Sequence, residues 1–129
     1  MTSLLIGVAL LISFVVAMQV AVRLRARLLR GKPIPDLPNA WARRLSGRGD
    51  TLLYFFSPGC AACRPLTPRF KQMSDRRPSS VFLVNVAEDL GLARAFKVMA
   101  TPSVIEVADG KVVGYHIGAP PADVLARYA

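Results

Sequence analysis

Only two cysteines occur in the 129 residues, and both lie in one motif, Cys60-Ala61-Ala62-Cys63. A thiolate is the nucleophile of disulfide exchange, and a second thiol three residues on can resolve the mixed disulfide that the first one forms. With Cys60 in the first turn of a helix, unpaired N–H groups and the helix dipole would stabilise its thiolate. Cys63 would share that face and sit deeper. The two alanines leave room for a substrate chain. A zinc site is short of ligands, because one histidine allows at most a Cys2His set. A purely structural bridge across so small a loop restrains the unfolded chain little. Redox exchange is therefore the favoured expectation. The alternative is a Cu(I) relay using the soft ligands Cys60, Cys63 and Met99 with His116; otherwise His116 is a surface residue ending the last strand.

The elements that must position this pair follow from patterning. Thr51-Leu52-Leu53-Tyr54-Phe55-Phe56 is a continuous apolar run, the mark of a strand buried on both faces. Ser57-Pro58-Gly59 ends it, and a helix is expected from near Cys60 to about Ser74. Val81 to Val86 is a second buried strand, and Glu88 to Phe96 a short helix. Strands Ser103–Val107 and Lys111–Tyr115 flank the hairpin turn Asp109-Gly110. A last helix carries Val124, Leu125 and Tyr128. Ahead of these, Asn39 caps a short helix through Trp41 and Leu45 that Gly47-Arg48-Gly49-Asp50 ends, Trp41 being a packing residue at the sheet edge. The order is β-α-β-α-β-β-α, with the helix-linked strands parallel and the last pair antiparallel.

This arrangement resembles the thioredoxin superfamily from about Thr51 to Tyr128. The resemblance rests on Tyr54-Phe55-Phe56-Ser57-Pro58-Gly59-Cys60-Ala61-Ala62-Cys63-Arg64, on Pro68, on Ala100-Thr101-Pro102 before Ser103-Val104-Ile105, and on Gly118. It implies an α/β, thioredoxin-like fold: a mixed central sheet flanked by helices. It also implies a thiol–disulfide oxidoreductase that needs no organic cofactor and no metal, with protein thiols and disulfides as clients and a redox partner. Cys60 would attack and Cys63 resolve. Pro68 would kink the active-site helix. Thr101 would pair with a substrate strand through its main chain, and Pro102 would form a cis peptide facing the thiols. The chain departs from the family in placing Tyr54 where a buried acid is usual, Gly59 where tryptophan is frequent, Ala-Ala between the cysteines, and an extra Pro65. A tethered protein with few clients fits these departures better than a general reductase.

At 14.0 kDa the chain has room for one small domain, and 53% hydrophobic residues with a mean hydropathy of +0.38 exclude a disordered protein. The apolar excess concentrates in residues 4–22, where only Ser13 and Gln19 are polar. A helix of that length rises about 28 Å, the thickness of a bilayer core. An anchor is favoured over a cleaved signal, since Met1-Thr2-Ser3 is uncharged, no small-x-small site follows, and the flank is cationic. Residues 23–38 are a basic juxtamembrane and Pro-rich linker, with Arg23, Arg25, Arg27, Arg30 and Lys32 ahead of an extended tether. The soluble domain is 39–129. The net charge of +9 and pI near 10.6 are thereby assigned to anionic head groups, not to nucleic acid. Flanking charge favours the cytoplasmic side for the domain, against the extracytoplasmic placement common among tethered family members.

Overall fold

Strand β1 (Asp50–Phe56) forms the centre of the molecule in the computed structural model, which describes residues 1–46 and 49–129. It lies between β2 (Val81–Asn85) and β3 (Ser103–Ala108), with β4 (Lys111–Ile117) outside β3. Side chains alternate across a strand, so Leu53 and Phe55 enter one face and Leu52 and Tyr54 the other, all four fully buried. Helices α3 (Thr67–Arg76) and α5 (Ala122–Tyr128) cover the Leu52–Tyr54 face through Phe70, Met73, Val124, Leu125 and Tyr128. The other face is covered by α2 (Asn39–Leu45) and α4 (Leu90–Ala95) through Leu45, Leu92 and Ala93. Ala26, near the end of α1 (Thr2–Leu28), joins that second core.

The mixed sheet flanked by helices is thus the fold expected, with β1 and β2 parallel and β3 and β4 a hairpin. One expectation fails: β3, though reached through a helix, runs antiparallel to β1. The connection of residues 86–102 packs α4 on the sheet face through Leu92 and Ala93 and brings Ser103 opposite Phe55. The chain therefore re-enters the sheet at the end where β2 left it. Instead of being buried on both faces, β2 is an edge strand, with Phe82 and Leu83 half-buried. Trp41 packs there, its ring centroid 5.7 Å from that of Phe82, and its indole N–H donates to Asp89 Oδ2 at 2.6 Å. Pro38 occupies the capping position of α2, and Asn39 is its first residue. Gly47 and Arg48, expected to end that helix, lie outside the described residues.

The segment after α1 is extended, as its prolines suggest, but it is bound along its course. Gly31 at φ 78° turns the chain out of the helix. Its N–H donates to the Val112 carbonyl, the Val112 N–H to the Lys32 carbonyl at 2.9 Å, and the Ile34 N–H to the Gly110 carbonyl at 3.0 Å. Pro33, which has no N–H, stands opposite Lys111 and limits the ladder. The linker is a short added strand on the outer edge of β4.

His116 is not the surface residue expected. Its side chain is 13% exposed, and Nε2 shares a hydrogen bond of 3.0 Å with Oε2 of the buried Glu106. Arg127 donates to Glu106 Oε1 at 2.8 Å. A buried carboxylate is costly unless paired, and the space for this one exists because Gly114, opposite Glu106 in the ladder, has no side chain. A methyl group at 114 would run into the carboxylate. Gly114→Ala is therefore expected to cost about 1–3 kcal/mol, against about 0.5 kcal/mol or less for Val113→Thr at the neighbouring exposed position; urea unfolding of the two variants checks the difference.

Candidate active site

β1 delivers the chain to Ser57-Pro58-Gly59, and Cys60 then caps a single 3-10 turn, Ala61–Cys63. The continuous helix expected from Cys60 does not form. Arg64 donates to the Ala61 carbonyl and Leu66 to the Cys63 carbonyl, both i→i−3 bonds, and α3 begins only at Thr67. Pro65, without an N–H, cannot continue an α-helical ladder here. Pro68 consequently falls within the first two positions of α3, where a missing N–H costs nothing, and not in a helix interior.

Cys60 and Cys63 are joined as a disulfide with their Cα atoms 5.3 Å apart. Cys60 is half-buried, whereas Cys63 is 2% exposed. The Cys63 N–H donates to Cys60 Sγ at 3.2 Å. That donor, within a three-residue turn, is placed to stabilise a Cys60 thiolate once the bridge opens, where a long helix was expected to do so. Ala61 and Ala62 are exposed and present no bulk in front of the sulfurs.

The ladder sets Phe55 opposite Ser103, so the chain entering β3 passes beside the chain leaving β1. Ser57 Oγ and Thr101 Oγ1 are 3.3 Å apart and tie the two loops together. The Thr101–Pro102 peptide is cis, with Thr101 half-buried and Pro102 buried. Ser103 Oγ donates back to the Ala100 carbonyl, closing the loop. Cys60, Cys63, Thr101 and Pro102 are thus gathered at one end of the sheet. The copper-relay expectation finds no support: His116 is engaged by Glu106, and among the described residues no three His, Cys, Asp or Glu side chains are grouped to hold a metal ion.

Beneath Cys63 lies a polar cluster that local pattern does not reveal. Tyr54 Oη is 2.9 Å from Thr67 Oγ1 and 3.3 Å from the Cys63 carbonyl, and Thr67 Oγ1 donates to the same carbonyl at 2.9 Å. Two protons serve three oxygens. Burial pushes the Tyr54 phenol above its ordinary pKa of 10.0, only partly opposed by the Thr67 hydrogen bond, so it stays neutral at physiological pH. It braces the turn and cannot act as a base. Its ring stacks on Phe70 with centroids 4.1 Å apart, which fixes the hydroxyl.

The family model for Thioredoxin matches residues 35–129. The H-type thioredoxin of Picea mariana is 32% identical over 94 residues, covering 69% of this chain and 75% of that protein. A thioredoxin of Echinococcus granulosus is 30% identical over 80 residues, 60% of this chain and 75% of that protein. For an Arabidopsis thaliana relative of the thioredoxin H10 type, at 30% identity over 76 residues and 58% of this chain, the match spans about half of its length, 49%. Among solved structures, Malassezia sympodialis thioredoxin has a TM-score of 0.60 at 19% identity, over 75% of this chain and 91% of that one. Fasciola hepatica thioredoxin has a TM-score of 0.57 at 24% identity, over 70% and 89%. The chain belongs to the thioredoxin family, and its domain is of the thiol–disulfide oxidoreductase class.

Removing the Tyr54 hydroxyl breaks the brace without opening a cavity. Tyr54→Phe is expected to lower stability by about 1–2 kcal/mol, the worth of one or two buried hydrogen bonds, as read by denaturant unfolding of the oxidised chain.

Proposed function

We propose that this protein is a membrane-tethered thiol–disulfide oxidoreductase that exchanges disulfides with protein clients through Cys60 and Cys63. The observation that carries the chemistry is the asymmetry of the pair. Cys60 is partly open to solvent and hydrogen-bonded to a backbone N–H, while Cys63 is buried behind it. In the reducing direction the Cys60 thiolate attacks one client sulfur. The client S–S bond breaks, its other sulfur leaves as a thiolate that takes up a proton, and a mixed disulfide remains. Cys63 loses its proton and attacks Cys60 Sγ, forming the internal disulfide and releasing the second client thiolate. The client gains two electrons and the pair loses two. The Thr101–Pro102 loop, beside the half-exposed sulfur, offers main-chain groups to an extended client segment.

Cys60→Ser is expected to reduce exchange to background, while Cys63→Ser accumulates mixed disulfides that non-reducing electrophoresis resolves. Normal turnover by Cys60→Ser would overturn the assignment.

The tether is α1. Residues 4–22 are apolar on every side of the helix, and all are exposed. A helix apolar all round needs a covering that protein does not provide here, and its length suits a bilayer. Arg23, Arg25, Arg27, Arg30 and Lys32 follow it and favour retention of the domain on the cytoplasmic side. After reduction, Cys60 is expected to resist a membrane-impermeant maleimide in intact cells and to react after lysis; labelling of intact cells would put the domain on the other side.

A further inference from the structure

The direction in which α1 leaves the domain carries information about the client. The linker runs antiparallel to β4: residues 31–34 pair with residues 112–110, so moving back toward the N-terminus follows β4 toward its C-terminal end. Arg30 reaches the Tyr115 carbonyl at 3.4 Å. Further back, Ala21, Val22, Arg25 and Ala26 line a hollow with Met99 and Ile117. Val22 and Arg23 are the residues at which the apolar run gives way to basic ones, and both line a cleft with Ile117. Ile117 is paired with Ser103, and Ser103 with Phe55. The end of the sheet that carries Cys60 and Thr101–Pro102 is therefore the end from which the apolar helix projects.

Three further observations agree. The linker has little slack, because residues 29–32 and 34 are held by backbone hydrogen bonds, those of 31 and 32 to Val112 of β4 and that of 34 to Gly110 in the turn before it. This end exposes Met99 and Ile117, at 67% and 40%, with Lys97 lining the same hollow. From Ser57 to Ser74 the chain bears Arg64, Arg69 and Lys71 and no acidic residue. These exposed basic and apolar side chains outnumber the exposed Glu88 of the turn after β2 and suit anionic head groups.

We propose that the Cys60 sulfur faces the bilayer surface and that the clients are disulfides in membrane proteins, carried within a few residues of the lipid interface. This rests on the reading of α1 as a membrane span. It makes distance from the bilayer the basis of selection: a juxtamembrane segment can enter the gap between the two loops and the lipid, while a disulfide held well above the surface meets the wrong end of the domain.

The test uses the full chain in vesicles of phosphatidylcholine and phosphatidylglycerol, kept reduced with dithiothreitol. Two single-span peptides serve as substrates. One has its disulfide loop two to four residues from the apolar span; in the other the same loop stands on a helical spacer of about 20 residues, roughly 30 Å above the surface. Both peptides are confined to the same membrane, so co-localisation alone does not distinguish them. The near disulfide is expected to be reduced at least tenfold faster. A flexible Gly-Ser insertion between Leu28 and Leu29, which frees the domain to turn over, is expected to bring the ratio to about threefold or less. Equal rates with the native chain would overturn the orientation. Flotation of the vesicles reads the span separately: a chain that fails to float loses both readings, and one that floats while reducing both peptides equally loses only this one.

Discussion

The register that sets Ser103 opposite Phe55 governs the reactive end of the molecule. Because β3 starts where β1 stops, two irregular loops, Ser57–Cys60 and Ala100–Pro102, are held side by side by strands that cannot slide. Leu53, Phe55 and Ile105 fill one core and Leu52, Tyr54 and Val104 the other, all without exposed surface. A slip of one residue would send each of them to the opposite face. The spacing between thiols and the Thr101–Pro102 loop is thus inherited from packing beneath it, and the Ser57–Thr101 hydroxyl contact adds only the last adjustment.

Much of this was legible before any coordinates. The run Thr51–Phe56 is unbroken because β1 is buried on both faces, and Asp109-Gly110 announces the hairpin through its turn chemistry. The cysteine pair stands out by being alone, and the family resemblance pointed to Thr101 and Pro102. What stayed hidden depends on distances that a local pattern does not encode. The direction of β3 depends on where the connection of residues 86–102 returns the chain to the sheet. The break between Cys63 and Thr67 follows from Pro65 removing one donor. His116 looks like a surface residue until Glu106, ten residues away along the hairpin, is found beneath it. The attachment of residues 31–34 to β4 is made by main-chain groups, which leave no side-chain signature.

Below the disulfide the molecule has a neutral brace in place of a charge. Tyr54, Thr67 and the Cys63 carbonyl share their protons in a buried cluster, and stacking on Phe70 keeps the phenol in place. The nearest charged side chains in sequence, Arg64, Arg69 and Lys71, are all positive and exposed. The electrostatics of the sulfur pair are therefore shaped by basic side chains on the solvent side and by one N–H, and the brace beneath Cys63 is uncharged.

The short strand contributed by residues 31–34 has a consequence for the domain when it is separated from its helix. The outer margin of β4 would then present the Val112 N–H together with the Gly110 and Val112 carbonyls, all bare of partners. Bare strand margins recruit one another. A proteolytic cut just after Ile34 would thus release a fragment prone to dimerise or polymerise margin to margin, and residues 31–34 double as a guard against self-association.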